Sequence, residues 1–245
     1  KLIKEKTYKT NSFVYSWNMA TNKSNLGKGI VFENILCQEN ETTNFKKETT
    51  NFTLEKKILS PPQIFFSIWN KYSLLIANEI YYQLNSSNKN ENENFIEVIF
   101  PFYGREMYFY LFGKTGFFES QLLIPDNKLD DFLDEFKFLY NKFLPVITLL
   151  SFKNMSGEQN YIRFEGEMIC MTLDFVNNKK NKLFMDEIDK LCIKYNIIPS
   201  IIKDSRLTKT VVEKCYKKFD EFKSGIKKFD INRFYKSEIS EKLGI

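Results

Sequence analysis

The chain of 245 residues is long enough to bury a substantial core, and its 43% hydrophobic content indicates a globular protein. It contains no histidine, which excludes a catalytic imidazole, a Ser–His pair and a histidine metal ligand within these residues. Residues 203–245 hold twelve Lys or Arg and seven Asp or Glu, so the whole net charge of +5 lies there. This basic segment is compatible with a solvated helix face, a contact with an acidic domain or a nucleic-acid site.

The cysteines and the apolar runs predict the compartment. The four cysteines, Cys37, Cys170, Cys192 and Cys215, are widely spaced in apolar or helical contexts, which favours buried free thiols in a reducing compartment. The sequence has no apolar run of about eighteen residues and no charged-then-apolar leader, so we predict neither a membrane span nor a signal peptide and expect a cytoplasmic protein. The start at Lys1, without an initiator Met, suggests a processed or truncated product.

The N-terminal part of the chain predicts a hairpin followed by less regular structure. Residues 12–17 and 29–37 have the pattern of two short strands separated by a polar turn. Residues 38–57 are rich in Asn, Thr, Glu and Lys without a sustained period and predict an exposed loop. The aromatic-rich residues 64–85 are compatible with a helix, and residues 95–102 have strand character.

The second half predicts a complete α+β unit. Apolar residues from Leu129 to Phe143 recur at helical spacing and form one continuous stripe. The predicted order is strand, helix, strand, strand, helix, strand, over residues 117–124, 129–143, 146–152, 167–175, 182–195 and 197–202. This order predicts a ferredoxin-like fold, in which both helices cover one face of an antiparallel sheet and the other face is open to a ligand or partner.

A C-terminal helical segment follows the sheet. Residues 208–223 predict a helix with Val212, Cys215 and Phe219 inward, Gly225 as its stop and a short basic tail behind it. No Gly-rich phosphate loop, Cys-X-X-Cys motif or nucleophile elbow occurs in the sequence. Motifs alone therefore indicate a fold and assign no reaction to it.

Two C-terminal motifs carry a family resemblance. They are Ile202-Lys-Asp-Ser-Arg206 and, after a helix, Lys228-Phe-Asp-Ile-Asn-Arg-Phe-Tyr-Lys-Ser-Glu-Ile-Ser-Glu-Lys-Leu-Gly-Ile245. Both resemble the ending of FAD-linked oxidases of the vanillyl-alcohol-oxidase superfamily, especially the decaprenylphosphoryl-ribose oxidase branch. Upstream segments resemble the same branch in the same order, at Tyr15-Ser-Trp, Asn25-Leu-Gly-Lys-Gly29, Asn70-Lys-Tyr72, Asn78-Glu-Ile-Tyr-Tyr82 and Gly113-Lys-Thr-Gly-Phe-Phe-Glu-Ser-Gln-Leu-Leu-Ile-Pro125.

The resemblance implies a division of the chain and an activity. Residues 1–199 would form the substrate-binding cap over the flavin ring, and residues 200–245 would return to an FAD-binding domain that lies before Lys1 and is absent here. The implied activity is FAD-dependent oxidation of a secondary alcohol of a sugar, with a lipid-phosphate-linked sugar of glycan or cell-wall precursor metabolism as the candidate substrate. A reductase partner for epimerisation and membrane association are further implications. The fragment alone is expected to be inactive.

The resemblance also implies roles for the residues of its motifs. Lys203 is the implied catalytic group beside flavin and substrate, where a fixed ammonium stabilises negative charge; the alternative is a surface salt bridge. Arg206 of the same motif is a second implied cofactor contact. Gln121 matches a pocket-lining glutamine, and Glu119, where the branch usually has glutamine, lies on the same strand face.

Further positions are implied to bind substrate, and no metal site is implied. Phe112 stands where the branch has a pocket tyrosine. Thr172 stands where some relatives have a cysteine attacked by covalent inhibitors, and Cys170 lies on the same face. A pocket lysine of the family aligns with either Ser151 or Lys153. The alternative for these strand residues is an exposed sheet edge.

Two other functions stay open. One is a non-enzymatic ferredoxin-like module whose basic C-terminal helix contacts RNA or an acidic protein. Because no strand carries the ribonucleoprotein aromatic motif, nucleic acid is not the expected partner. The other is a degenerate relative that keeps the cap fold without activity, which Phe112 and Glu119 favour.

Overall fold

The described part of the chain forms an α+β fold around an antiparallel sheet. The computed structural model describes residues 12–36, 64–87 and 107–245, together with Ile96 and Val98. Within these residues the strands are β1 (Ser12–Asn18), β2 (Gly29–Ile35), β3 (Phe117–Ile124), β4 (Ile147–Met155), β5 (Met168–Val176) and β6 (Ile198–Pro199). The helices are α1 (Lys71–Asn85), α2 (Met107–Tyr110), α3 (Leu129–Phe143), α4 (Lys179–Tyr195), α5 (Lys209–Cys215), α6 (Phe219–Phe229) and α7 (Glu238–Leu243).

The strand order in the sheet is β2-β1-β4-β5-β3-β6, and all neighbouring strands are antiparallel. An unbroken pairing joins β3 to β5, from Phe117 opposite Val176 to Ile124 opposite Ile169. β4 pairs with the other side of β5. The predicted β1-β2 hairpin is confirmed, and it extends the sheet beyond β4.

Helices α3 and α4 cover one face of the sheet. The apolar stripe predicted for α3 is confirmed by its buried residues, which are Leu129, Phe132, Phe136, Leu139 and Tyr140. Phe184 of α4 lies against Phe136, with ring centroids 5.7 Å apart, and against Phe175 of β5 at 6.0 Å. The left-handed backbone of Leu144 and Asn196, with φ values of 45° and 55°, ends the two helices. The main core therefore lies between this helix layer and the sheet.

The opposite face of the sheet is also covered in part, so the prediction of an open face is wrong there. Tyr81 of α1 packs on Trp17 of β1, with ring centroids 4.6 Å apart. Phe112, which follows α2, stacks on Phe117 of β3 at 4.8 Å. The physical reason is the aromatic content of the segments before β3, because the transfer of large rings out of water lowers the free energy of the folded state.

Two C-terminal element predictions need correction. β6 spans only Ile198–Pro199 instead of residues 197–202, because the chain turns after Ser200 donates its backbone N–H to the carbonyl of Gln121 at 2.8 Å. The predicted helix of residues 208–223 is divided into α5 and α6. Tyr216 interrupts it with an extended backbone, because its buried ring donates a hydroxyl hydrogen bond to the carbonyl of Pro199 at 2.7 Å.

Residues 216–245 contain more helix than the sequence predicts, although most of their side chains are exposed. Gly225 was expected to stop a helix, but it lies inside α6, which keeps its amphipathic pattern as far as Phe229. The tail was expected to be short and basic, but it forms α7. Leu243 and Ile245 are buried in the core, because apolar side chains are more stable there than in water.

Some predictions fall on residues outside the described ranges. These include the loop of residues 38–57 and the burial of Cys37. In residues 95–102 only Ile96 and Val98 are described, and both are helical. The strand prediction is wrong at these two positions, because a short apolar run fits either element. The other three cysteines are buried and free, as predicted, and no described helix is long and apolar enough to cross a membrane.

Replacing Gly225 by Ala tests the continuity of α6. A Cβ atom at this helical position would meet open space, so Gly225→Ala should raise the free energy of unfolding by about 0.5–1 kcal/mol. Gly244, which ends α7 at a φ of 69°, is the matched control, and Gly244→Ala should lower the free energy of unfolding. Chemical denaturation measures both changes. Destabilisation by Gly225→Ala would contradict a continuous α6.

Candidate functional site

The strand register brings most of the predicted site residues onto one face of the sheet. Directly opposite residues of antiparallel strands point to the same side. Gln121 of β3 lies opposite Thr172 of β5, which in turn lies opposite Ser151 of β4. Glu119 lies opposite Asp174. We call this face the site surface; its residues are Glu119, Gln121, Ser151, Lys153, Cys170, Thr172 and Asp174.

The site surface points away from α3 and α4. Phe118 and Phe175 alternate with the site residues along β3 and β5, and they face the helices. Nζ of Lys182 on α4 lies 5.3 Å from the ring centre of Phe118, and Phe184 on α4 contacts Phe175. The sheet itself therefore lies between the site surface and the two helices α3 and α4.

Glu119 is held by two partners at the accessible part of this surface. Its Oε1 accepts a hydrogen bond from Nε2 of Gln121 at 2.8 Å, and its Oε2 lies 3.2 Å from Nζ of Lys203. The side chains of Lys203 and Glu119 are 46% and 22% exposed, so a ligand can reach both. The surface salt bridge considered for Lys203 is thus formed, and it lies next to the predicted substrate residues. Its catalytic role stays a prediction.

A buried ion network anchors the loop that carries Lys203. Arg206 donates two hydrogen bonds of 3.1 Å to the carboxylate of Asp189 on α4 and one of 2.8 Å to Asp204. The side chains of Arg206 and Asp204 are only 9% and 1% exposed. Burial raises the pKa of the Asp189 carboxyl, and Arg206 opposes that shift. The guanidinium therefore joins the loop to α4, and its predicted cofactor contact stays a prediction.

Asp174 of the site surface is covered, and it forms a buried polar cluster with Tyr108. Tyr108 donates its hydroxyl proton to Oδ2 of Asp174 at 2.8 Å, and the same hydroxyl lies 2.7 Å from Oγ1 of Thr148. Burial raises the pKa of Asp174 to about 7; the Tyr108 hydrogen bond opposes this shift and Glu119 adds to it. Burial and Asp174 also raise the pKa of Tyr108. Burial therefore favours the protonated forms of both groups.

Three of the predicted substrate residues lie below the accessible groups. Thr172 is 4% exposed, and Cys170 and Phe112 are fully buried. Sγ of Cys170 lies 4.0 Å from Oγ1 of Thr172, and burial raises the pKa of the thiol. A buried, protonated thiol is a poor nucleophile. The accessible polar groups are those of Glu119, Gln121, Ser151, Lys153 and Lys203.

Lys153 is a further cation on the site surface. It lies opposite Cys170 of β5 and Tyr15 of β1, and it is partly buried. It forms no salt bridge with another side chain of the described ranges, in contrast to Lys203. Ser151 and Lys153 both lie on this surface, so the choice between them as the pocket-lysine position stays open.

The sequence predictions did not include Tyr108, Thr148 or Asp174. Asp174 follows Cys170 and Thr172 at every second residue of β5, and this alternation was the available signal. Tyr108 belongs to an aromatic run for which no element was predicted. Nothing in the sequence therefore placed its hydroxyl over β4 and β5.

A separate cavity of about 330 Å³ lies on the helix side of the sheet. It is lined by Leu129, Leu133 and Phe136 of α3, by the β1-β2 hairpin and by Leu150 and Phe152 of β4. None of the predicted site residues contributes to this lining. The candidate site is therefore the surface on the opposite face.

No protein-family model matches the chain. Within the described ranges, no group of three or more His, Cys, Asp or Glu side chains is placed to hold a metal ion. The site is thus defined by its own geometry, in which a carboxylate, an amide and two ammonium groups lie above a buried carboxyl–phenol pair. Such a set of groups has the hydrogen-bonding capacity to bind polar ligands such as sugars and anions.

Removal of Arg206 tests the anchoring of the Lys203 loop. Arg206→Ala should lower the free energy of unfolding by about 3–5 kcal/mol, because two buried carboxylates lose their partner. Lys190→Ala is the control, since it breaks an exposed pair with Glu187 on α4 and should cost less than about 1 kcal/mol. Urea denaturation compares the two. Equal, small losses would contradict an anchoring role.

Proposed function

We propose that this chain is the substrate-binding portion of an FAD-dependent oxidoreductase that oxidises a secondary alcohol of a sugar. The observation that carries the proposal is the meeting, on one surface, of residues that the resemblance names in separate segments. They are Gln121 of β3, Thr172 of β5, Lys153 of β4 and Lys203 of the loop after β6. Glu119 and Cys170 share strand faces with Gln121 and Thr172 by alternation, so the support comes from the meeting of the three strands and the loop on one surface.

The fold supports the same proposal. The order β6-β3-β5-β4, with α3 and α4 as the connections on one face, agrees with the ferredoxin-like unit expected for the cap. The β1-β2 hairpin extends this unit, and α5, α6 and α7 follow it. We assign residues 1–199 to the cap and residues 200–245 to the segment that would return to an FAD-binding domain.

The accessible groups have complementary tasks in such a reaction. Glu119 offers a carboxylate and Gln121 an amide, which bind sugar hydroxyls and fix their orientation. Lys203, held in place by the Arg206 network, stabilises negative charge that develops beside it. Lys153 adds a second positive charge, which suits the phosphate of a lipid-linked sugar.

FAD would supply the redox chemistry by accepting a hydride from the alcohol carbon, while the hydroxyl proton would pass to a base at the site or to solvent. Lys203 fits as a contact to the flavin, because its half-exposed ammonium can face a ring that gains negative charge. The two terminal nitrogens of Arg206 are engaged by Asp189 and Asp204, and its Nε is buried without a hydrogen-bond partner among the described residues. The proposal gives the flavin contact to Lys203, because its ammonium is accessible. Because the sequence has no Gly-rich phosphate loop, pyrophosphate contacts would come from a further domain. The carbonyl product would be a substrate for a reductase partner.

The visible absorption spectrum of the product of the complete reading frame, including any residues before Lys1, tests the proposal. The protein should carry flavin that bleaches when a sugar-phosphate lipid is added without oxygen. Lys203→Ala should bleach about 10²-fold more slowly, because one charge-stabilising group is lost. Lys190→Ala, which removes an exposed lysine on α4, should bleach at the unchanged rate. A colourless protein, or a reading frame that begins near Lys1, would contradict the proposal.

The exposed C-terminal surface favours a second candidate function, which is polyanion binding. Phe229, Phe234 and Tyr235 are 86%, 80% and 80% exposed, and Lys228 and Lys236 adjoin them in sequence. Exposed rings interleaved with lysines are typical of single-stranded nucleic-acid binding. In the oxidase proposal this surface would instead contact the FAD-binding domain. Salt-sensitive binding of a single-stranded oligonucleotide, together with a colourless full-length protein, would favour the second function.

A further inference from the structure

Two carboxyl groups lie side by side on the site surface. Glu119 of β3 and Asp174 of β5 are directly opposite in the register, which places their Cβ atoms about 5 Å apart. Two ionised carboxylates at this separation repel each other, so the pair favours a state with one proton. The surroundings of each group decide which carboxyl carries that proton.

Glu119 has the surroundings of an ionised group. Nζ of Lys203 lies 3.2 Å from one of its carboxylate oxygens, and Gln121 donates a hydrogen bond of 2.8 Å to the other. Both partners are donors, so a proton on Glu119 would compete with one of these contacts. The side chain is 22% exposed, and water can solvate its remaining charge.

Asp174 has the surroundings of a neutral group. The residue is 3% exposed, and its Oδ2 accepts one hydrogen bond, from the hydroxyl of Tyr108. Its Oδ1 is buried and has no hydrogen-bond partner among the described residues. A buried carboxylate oxygen without a donor costs free energy, and a proton on the carboxyl removes the charge. The raised pKa of Asp174, about 7, agrees with this geometry.

We infer that Glu119 and Asp174 hold one proton between them, and that this proton resides on Asp174 while Lys203 contacts Glu119. When a ligand oxygen replaces Glu119 as the partner of the Lys203 ammonium, the proton affinity of Asp174 increases. The ligand class is any hydroxyl or anionic oxygen that accepts a hydrogen bond from an ammonium. Ligand binding at the surface is then coupled to proton uptake beneath it. In the proposed oxidase, Asp174 is a positioning residue that acts through Glu119.

The groups that face Asp174 come from four parts of the fold. Tyr108 belongs to α2, Thr148 to β4, Glu119 to β3, and Lys203 to the loop after β6. Tyr108 remains neutral near pH 7, because burial and Asp174 raise its pKa. Among the described residues, Glu119 and Lys203 are therefore the charged groups that tune Asp174, with opposite signs.

Carbon-13 NMR of the 245-residue chain, labelled at the aspartate carboxyl carbons, tests the inference without flavin or substrate. The resonance that disappears in Asp174→Asn belongs to Asp174, and it should titrate with a midpoint of about 7. Glu119→Gln should lower this midpoint by about one pH unit, and Lys203→Met should raise it. An Asp174 that is ionised throughout the range from about pH 5 to pH 8 would overturn the inference, as would a midpoint that Glu119→Gln leaves unchanged.

Two variants of an exposed ion pair on α4 serve as controls. Glu187→Gln and Lys190→Met remove the same charges on the helix side of the sheet and should leave the Asp174 midpoint unchanged. A shift as large as that of Glu119→Gln would assign the effect to net charge and overturn the inference. Because no arm of the experiment uses flavin, its outcome is independent of the oxidase proposal.

The pH dependence of stability provides a check that needs only the wild type and Asp174→Asn. The pKa of Asp174 lies above its ordinary value of 3.8, so the folded state binds the additional proton between about pH 4 and pH 7. Stability from this proton is present at low pH and is lost as the pH rises through the window. As the pH rises through this window, the folding constant of the wild type should fall relative to that of Asp174→Asn, by up to about tenfold for each pH unit. Identical slopes would contradict the inference.

Discussion

The site depends on the pairing of β3 with β5. Side chains alternate along a strand, so this register sends Glu119 and Gln121 to one side and Phe118 to the other. A slip by one residue would expose the phenylalanines and place the polar residues against α3 and α4. The contact of Phe175 with Phe184 prevents that slip, because the core would lose its packed rings. Core packing on one face thereby determines the chemistry available on the other.

The polar residues that the register places on one face differ in how deeply they are buried. The rings of Tyr108 and Phe112 cover part of the site surface, whereas the side chains of Glu119 and Lys203 stay accessible. Asp174, below this cover, meets a phenol and few other donors. When two neighbouring carboxyl groups have different surroundings, one can be a proton donor and the other a fixed charge at the same pH. The buried Arg206 network adds rigidity, because it fixes the loop from which Lys203 reaches Glu119.

The sequence predicted those parts of the fold that have strong local periodicity. β3 and α3 have the predicted bounds, and β5 differs by one residue at each end, because apolar spacing and flanking turn residues specify them locally. The break at Tyr216 and the burial of Ile245 depend on partners distant in sequence, such as the carbonyl of Pro199. Local pattern carries no information about such partners.

The candidate site likewise has a part that the sequence predicts and a part that it does not. Strand parity and the resemblance were sufficient to select Glu119, Gln121 and Thr172, and the register brings them together. The two contacts that determine the electrostatics could not be predicted, because they join residues that are 84 and 66 positions apart, Lys203 to Glu119 and Tyr108 to Asp174. These contacts arise from tertiary packing of segments whose own sequences show no sign of the partner.

Disulfide cross-linking across β3 and β5 tests the register most directly. Gln121→Cys combined with Thr172→Cys places two thiols directly opposite on the site surface, at a separation that a disulfide can span. We expect this pair to oxidise readily, as measured by peptide mass mapping. Gln121→Cys combined with Leu173→Cys places the thiols on opposite faces and should not cross-link. Efficient cross-linking of 121 to 173, without cross-linking of 121 to 172, would contradict the register and with it the site surface.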